Sequence, residues 1–518
     1  LNQSLNDSFT TQPGGAGNTD VASLLNGTYN DLTGLLHAQD LLFSLEENTG
    51  DECLVPTRGG DWDDNGVWRV LHAHTWSPIH SQFKTVFTGL GQLESDALST
   101  LAFNPNATQA AEAQFLLSLS QFYLLDLFGQ VPYRTVADYN SIKAAPVYQP
   151  KDAINNLVTV LTGITAQLPN TNAPYKASPD AARFLLMKVL LNKGAFMNRA
   201  SPSFDPADMQ QVITLGNAII SSGRYSLTPN YFDNFGPNNA ATGREAILSW
   251  PNSGKANLNG INSGGINARW MMTLHYNSWD KNNTYGGAGW NGFSTVAEFY
   301  NTFEGSGGGK IDTAKDRRLG GRFYSGVTNQ SGLRPGLLVG QQFNENGVAE
   351  TDRHGNPLSF TPVVHLVETN KDSLEIAGIR IIKYPPDYNA YNGGNQTNQL
   401  QIFRYADVLL MVAEAKLRTN DAAGALVLVN QLRAARGASA LTTISLVNSS
   451  NVYDPNTLLA ERGRELYWES WRRQDLIRFG VFLQPWSLKT SDDPKNLLFP
   501  LPQDQLLANP NLKQNPGY

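Results

Sequence analysis

The sequence predicts a mainly α-helical protein: a tetratricopeptide-like helical superhelix scaffold with a long loop-rich insertion containing a few short strands. Three observations predict it. Apolar residues recur at helical spacing over long stretches towards both ends of the 518-residue chain. The second of two helix–turn–helix pairs has a period of about 34 residues and small residues at Ala413, Ala415 and Ala425, as tetratricopeptide units do. Between the pairs, residues 226–400 turn Gly- and Asn-rich and lose that periodicity. The chain reads as a single domain over 1–518, with scaffold helices at about 21–225 and 401–480 and a ligand-facing loop region at about 226–400.

Taken in order, residues 1–20 carry Pro13, Gly14, Gly15 and Gly17 and are expected to form an extended lead-in. Val21, Leu24, Leu25, Tyr29, Leu32 and Leu35 place a helix over Val21–Leu36. Ser81–Leu101 and Ala107–Phe128 repeat the pattern, the latter with Ala111, Phe115, Leu119, Phe122 and Leu125 on one stripe. A fourth helix is expected over roughly 151–168, after the break at Pro146–Pro150. In the first pair, Ser178-Pro179-Asp180 sets proline in a first turn, where its missing N–H matters least, and Asp208–Ser222 follows, closed by Gly223. The second pair is Ala406–Thr419 and Ala422–Arg436, joined at Asn420-Asp421 and ended by Gly437. Neither pair buries its apolar face alone, so the pairs should stack into a right-handed superhelix. Within the insertion, Pro362–Val367 and Ile376–Ile382 read as short strands. An insertion this long in a helical repeat points to function.

Asn456 to Gly480 reads as one helix, capped by Asn456 and ended by Gly480. It carries two tryptophans among nine charges. Pairs such as Glu461/Glu465 and Glu469/Arg473 have the spacing of exposed faces. The arginines beside Trp468 and Trp471 suit a helix wedged between others, with Arg472 and Arg473 holding the fold.

That stretch, AERGRELYWESWRRQDLIRFG, resembles the signature helix of the SusD/RagB family. LLDLFGQVPY (Leu124–Tyr133), FRYADVLLMVAEAKL (Phe403–Leu417) and FPLPQDQLLANPNLKQNPGY (Phe499–Tyr518) match in the family's order and span most of the chain. The resemblance implies a non-catalytic cell-surface protein that captures oligosaccharide or polysaccharide. It would deliver the glycan to a SusC-like TonB-dependent outer-membrane transporter. It also implies an outer-membrane lipoprotein, held by a lipid on a cysteine that precedes such a sequence and is not among these residues. A chain beginning at Leu1 rather than Met is expected to have lost a leader.

Composition narrows the alternatives. A net charge of −6 leaves no electrostatic footprint for nucleic acid. Cys53 is the sole cysteine, so there is no internal disulfide and no cysteine-rich zinc site. No run reaches the roughly 18 apolar residues of a membrane span. GSGGGK at Gly305–Lys310 is one residue short of a phosphate-binding loop, and neither a G-x-S-x-G elbow nor H-E-x-x-H is present. DWDDNG at Asp61–Gly66 begins like an EF-hand loop, but His72 stands where the bidentate Glu belongs. No cofactor is expected, with calcium on these carboxylates left open. His72, His74 and His80 read as loop-bracing side chains before they read as metal ligands. Glu46/Glu47, Asp51/Glu52 and Asp61/Asp63/Asp64 are the carboxylates a glycoside hydrolase would need. A peptide-binding tetratricopeptide groove is the other rival.

The aromatics carry the site prediction. Six of the ten tryptophans fall in two loops: Trp62, Trp68 and Trp76 in the first, Trp270, Trp279 and Trp290 in the second, where Tyr276, Tyr285 and Phe293 join them. A sugar ring has an apolar C–H face and a hydroxyl rim, so its site wants flat rings edged by Asn, Asp or Arg. Asp51, Arg58, Asp61, Trp62, Trp76, Trp279, Tyr285 and Trp290 are the predicted glycan-binding residues, with Asn277 and Asn291 nearby. Trp68 and Trp270, flanked by apolar neighbours, are assigned to the core.

Overall fold

The computed structural model describes residues 20–170, 174–250, 265–278, 288–388 and 396–518. Its helices stack in chain order. Val21–Leu36 packs on Ser81–Ala102, which packs on Ala107–Phe128. The stack continues through Pro150–Ile164, Pro179–Met197, Pro206–Ser221, Tyr405–Arg418 and Ala422–Arg436. The two halves of the scaffold therefore join directly across the insertion. At that junction a Cβ on Gly216 would lie 2.2 Å from Val412 Cγ2, so only glycine lets these helices approach.

Local sequence sets the ends. Asn106 accepts from the backbone N–H of Gln109 (2.9 Å) while the Gln109 side chain accepts from that of Asn106 (3.0 Å), a reciprocal capping box. Ser178 caps the helix that begins at Pro179, and Asp205 the one that begins at Pro206. Gly129 and Gly437 close their helices in the left-handed region, at φ 72° and 73°.

The insertion is a set of loops laced by short ladders. Ala246–Trp250 runs antiparallel to Leu400–Arg404, and Gly336–Leu338 to Arg380–Ile382, while Thr57–Arg58 lies parallel to Val367–Glu368. The two strands expected from β-branched runs are thus present only at Val367–Glu368 and Arg380–Ile382. One hydrophobic cluster runs from Leu25 through Phe293 and Ile381 to Phe499, so the loops share the scaffold's core. Among the described residues, no helix is long and apolar enough to cross a membrane.

The Asn456–Gly480 stretch departs from the single helix expected. Leu458–Leu466, capped by Thr457 rather than Asn456, is separated from Arg472–Arg478 by a turn. In that turn Trp468 and Ser470 are left-handed, at φ 57° and 67°. The cause is a competing set of acceptors. Glu52 takes the N–H of Trp468 (3.1 Å), and Glu47 takes those of Ser470 (2.5 Å) and Trp471 (3.3 Å). Glu47 reaches the turn from a buried π-helical turn, Ser44–Asn48, that the sequence did not announce.

The charges expected on exposed faces are buried as well. Glu465 accepts from Arg404 (2.7 Å) and Arg436 (2.8 Å), both of which also reach Glu245 (2.8 Å). Glu461 meets Arg318 (2.7 Å) and Arg433 (2.7 Å). Arg462 links Asp407 (2.8 Å) to Asp475 (2.7 Å), and Arg478 holds Glu414 (2.8 Å). Burial works against ionised Glu245, but Arg436 and Arg404 outweigh it and hold its carboxyl at about 2. Through Glu245 and Arg318 this network bolts the insertion to the scaffold helices.

Candidate functional site

Three stretches of loop meet on one face. Leu54 and Ser294 exchange two backbone hydrogen bonds of 2.9 Å, and Thr295 N donates to Ile379 O at 2.9 Å. Arg58 locks the junction from inside. Its guanidinium donates to the carbonyls of Ala377 (2.9 Å), Leu374 (3.1 Å) and Gly292 (3.3 Å), and burial lowers its pKa to about 10. Arg380 does the same one layer over, donating to Ala377 O (2.7 Å) and Asn291 Oδ1 (2.7 Å). Arg58 is therefore a clamp for the loops. It is 3% exposed and cannot reach a sugar hydroxyl, contrary to the expectation.

On that frame sits a partly exposed polar and aromatic cluster. The hairpin Arg58–Asp61 closes through Gly59 and presents Asp61, whose side chain is 48% exposed. Tyr276 O–H donates to Asp61 Oδ2 at 2.5 Å, and the Arg353 guanidinium lies 3.8 Å from the Tyr276 ring centroid. Arg353 Nε donates to Glu375 Oε1 (2.6 Å), and His275 Nε2 lies 2.6 Å from Glu375 Oε2. Burial opposes ionised Glu375, yet His275 and Arg353 together hold it at about 2. Asn277 Nδ2 donates to Thr351 O (3.0 Å), joining this segment to the 351–357 turn.

The rings are fixed by the backbone beneath them. Trp62, at φ 60°, donates from Nε1 to Trp290 O at 2.7 Å and meets Trp68 and Phe293 edge to face at 5.4 and 5.9 Å. A Cβ on Gly292 would stand 2.3 Å from Trp62 Cζ2, so glycine there is what admits the indole. Trp62, Trp290 and Tyr276 are each half-buried. Turn-held rings of this kind need little ordering to meet a flat ligand face.

The remaining predicted site residues divide. Asp51 is fully buried and pairs with Arg472 through both oxygens, at 2.5 and 2.7 Å, so it serves the core and not a glycan rim. Trp76 is 5% exposed. Its Nε1 donates to Tyr518 O–H (2.7 Å), and its ring packs edge to face on Phe83 and Phe499. It is core too, because its partners arrive from the chain's last residues. Trp279 and Tyr285 lie outside the described residues. Trp68 and Trp270 are buried, as their apolar neighbours indicated. Arg353, His275 and Glu375 were not singled out. The one available signal was DRHGNP at Asp352–Pro357, a turn sequence carrying Arg353 and His354.

Among the described residues, the histidines and carboxylates weighed for metal chemistry or hydrolysis are engaged by protein partners. His72 reaches the carbonyls of Cys53 and Ser487, His74 reaches Asp492 and Thr49 O, and His80 reaches Val67 O, all of them bracing contacts. Asp63 is paired with Arg69 (2.6 Å) and Asp64 accepts from Trp68 Nε1 (2.7 Å), so the three aspartates of DWDDNG do not converge. Asp352, His354 and Glu375 bring ligand atoms within 4.8 Å of one another. Asp352 Oδ1 already takes the N–H groups of His354 and Asn356 (2.8 Å each), and Glu375 is held by Arg353. Glu46, Glu47, Asp51 and Glu52 are all buried, with Glu47 and Glu52 committed to the Trp468–Trp471 turn and Asp51 to Arg472, so no glycosidic bond reaches them.

With this geometry established, comparison with known proteins gives a consistent family. The family model described as the SusD family matches residues 255–518. The starch-binding protein SusD of Bacteroides thetaiotaomicron is 24% identical over 92% of this chain and 85% of its own length. A SusD superfamily protein from Parabacteroides distasonis superposes with a TM-score of 0.69 at 18% identity, over 96% of this chain and 98% of that one. Surface glycan-binding protein A from Bacteroides thetaiotaomicron, solved in complex with laminarihexaose, gives 0.68 at 17% identity, over 96% and 98%.

Proposed function

This chain belongs to the SusD family, and from that premise we propose that it is a non-catalytic glycan-binding protein of the cell surface. It captures oligosaccharide or polysaccharide on its loop face and passes it to a partner TonB-dependent transporter in the outer membrane. The observation that carries the reading is the cluster of half-exposed rings, Trp62, Tyr276 and Trp290, edged by Asp61, Asn277 and Arg353. That mixture matches the two faces of a pyranose: aromatic surface for the C–H side, charged and amide groups for the hydroxyl rim. Trp279 and Tyr285 belong to the same proposal, because their segment continues directly from Ser278. The relatives support it, one being named a starch-binding protein and another having been solved with a glucan hexamer.

The same residues favour binding without cleavage. A carboxylate pair facing across a cleft is what a hydrolase requires, whereas Asp61 is engaged by Tyr276 and Arg353 and Glu375 by His275 and Arg353. A site with one or two stacking rings leaves about 4–7 kcal/mol, hence micromolar to millimolar affinity, which favours release to a transporter. Attachment to the outer membrane is assigned to a lipid on a cysteine beyond this sequence. The test is retention on affinity gels containing neutral plant, algal and fungal polysaccharides, followed by titration of the retained glycan. If none of them retards the protein, the reading fails.

A further inference from the structure

A second concave site lies in the helical scaffold and shares no lining residue with the loop face. It is a cleft of about 330 Å³ between the Ser81–Ala102 helix and the 133–145 segment. That volume is at the small end of ligand pockets, which run from roughly 300 to 1,000 Å³, and has room for on the order of one or two hexose rings.

Its floor is Glu94, a carboxyl only 6% exposed. Gln121 Nε2 donates to Glu94 Oε1 at 3.0 Å, and Gln121 Oε1 is itself held by Asn156 Nδ2 at 2.9 Å. Among the described residues no donor reaches the other Glu94 oxygen. Glu94 lines the cleft, so this oxygen is open to a ligand that enters it. Burial pushes this carboxyl up to about 8, against the pull of Gln121 and Arg134, so at neutral pH it offers an O–H donor as well as an acceptor. The walls are aromatic. Tyr133 is fixed by stacking on Tyr148, ring centroids 3.7 Å apart and 3° from parallel, and Tyr139 and Phe87 join it. Arg134 stands beside them, its guanidinium donating to Lys143 O at 2.6 Å.

We propose that this cleft binds a neutral mono- or disaccharide, with Glu94 and Arg134 reading its hydroxyls and Tyr133 and Tyr139 covering its apolar face. The pairing selects the ligand class. The Arg134 guanidinium turns a cation away, and polyol hydroxyls, each both donor and acceptor, match the protonated Glu94 carboxyl and the Arg134 donors together. The cleft is too small for a polymer, so it takes a chain end or a short product. It stands independently of the loop-face reading, since no residue is common to the two.

Gly91 supplies the test. It lines the cleft within a helix, and a Cβ there meets nothing within 4 Å, so a larger side chain enters the space without strain. Saturation-transfer NMR with D-glucose, D-galactose, D-mannose, maltose, cellobiose and laminaribiose, each up to ~50 mM, is run on the parent, Gly91→Ala and Gly91→Leu. At least one sugar should bind the parent and Gly91→Ala alike and lose tenfold or more in affinity for Gly91→Leu. The thermal midpoints of both variants should equal or exceed the parent's. Ser95→Phe, one turn further along the same face, repeats the test should Gly91→Leu fold poorly. Failure of every sugar to bind the parent overturns the proposal, and so does parent-like binding by Gly91→Leu and Ser95→Phe.

Discussion

Arg472→Ala should unfold this protein more readily than any change on the loop face. The Arg472 fork holds Asp51 at 2.5 and 2.7 Å, and its Nη1 donates to Leu459 O at 3.0 Å. Both side chains of the pair are almost wholly buried, 3% and 0% exposed. Truncation therefore leaves a carboxylate sealed without its partner, for which about 3–5 kcal/mol is the usual cost. The aliphatic stem adds to this. It fills the space over Gly50, where a Cβ would come within 3.1 Å of Arg472 Cγ. Arg472→Lys keeps the charge but loses the fork and should fall between the two. Adding Asp51→Asn to Arg472→Ala should recover part of the loss, because the stranded charge is then gone. Urea unfolding followed by tryptophan fluorescence reads all four proteins. An Arg472→Ala variant within about 0.5 kcal/mol of the parent, the range of ordinary surface changes, would refute the reasoning.

Three further outcomes follow from the same geometry. Glu94 titrates near 8 when folded against 4.5 as an ordinary carboxyl. The folded state therefore holds the extra proton between those values, and stability falls as pH rises through them. Glu94→Gln removes that loss, so its urea midpoint should gain on the parent's steadily from pH 5 to 8 and then level off; a gap that does not change with pH would contradict this. Gly292→Ala puts a methyl 2.3 Å from the Trp62 ring and should displace it, weakening glycan binding by about 1–3 kcal/mol in titration. Chelation with EDTA should leave glycan affinity and thermal midpoint unchanged, since Asp352 and Glu375 are already committed to protein donors.

The scaffold was legible because stripes such as Ala111 to Leu125 repeat at helical period, and period survives any tertiary context. The signature stretch was legible as a mark but not as a shape. An (i, i+4) pair reads identically on an exposed or a buried face. What buries Glu465 is Arg404, which ends the Leu400–Arg404 strand, and Arg436 from the second helix pair, both shared with Glu245 of the insertion and none of them local. The break at Trp468–Ser470 likewise depends on Glu47 and Glu52, more than four hundred residues away in the chain. Trp76 misled for the same reason, its partner Tyr518 being the last residue. Trp62 and Asp61 keep exposed surface because their own loop holds them there. Arg353 could not, since its place over Tyr276 exists only once the two loops meet.

Capture of glycan by the loop face without cleavage can be read from one calorimetric series. The retained polysaccharide is titrated into the parent and into Trp62→Ala, Tyr276→Ala, Trp290→Ala and Trp76→Ala, with reducing ends assayed in each mixture. The three loop-face variants should lose roughly 5- to 150-fold in affinity, the ~1–3 kcal/mol of a stacking ring. Trp76→Ala should lose stability while its folded fraction binds like the parent, and no reducing ends should accumulate. Parent-like binding by all three loop-face variants, or turnover by the parent, would contradict the account.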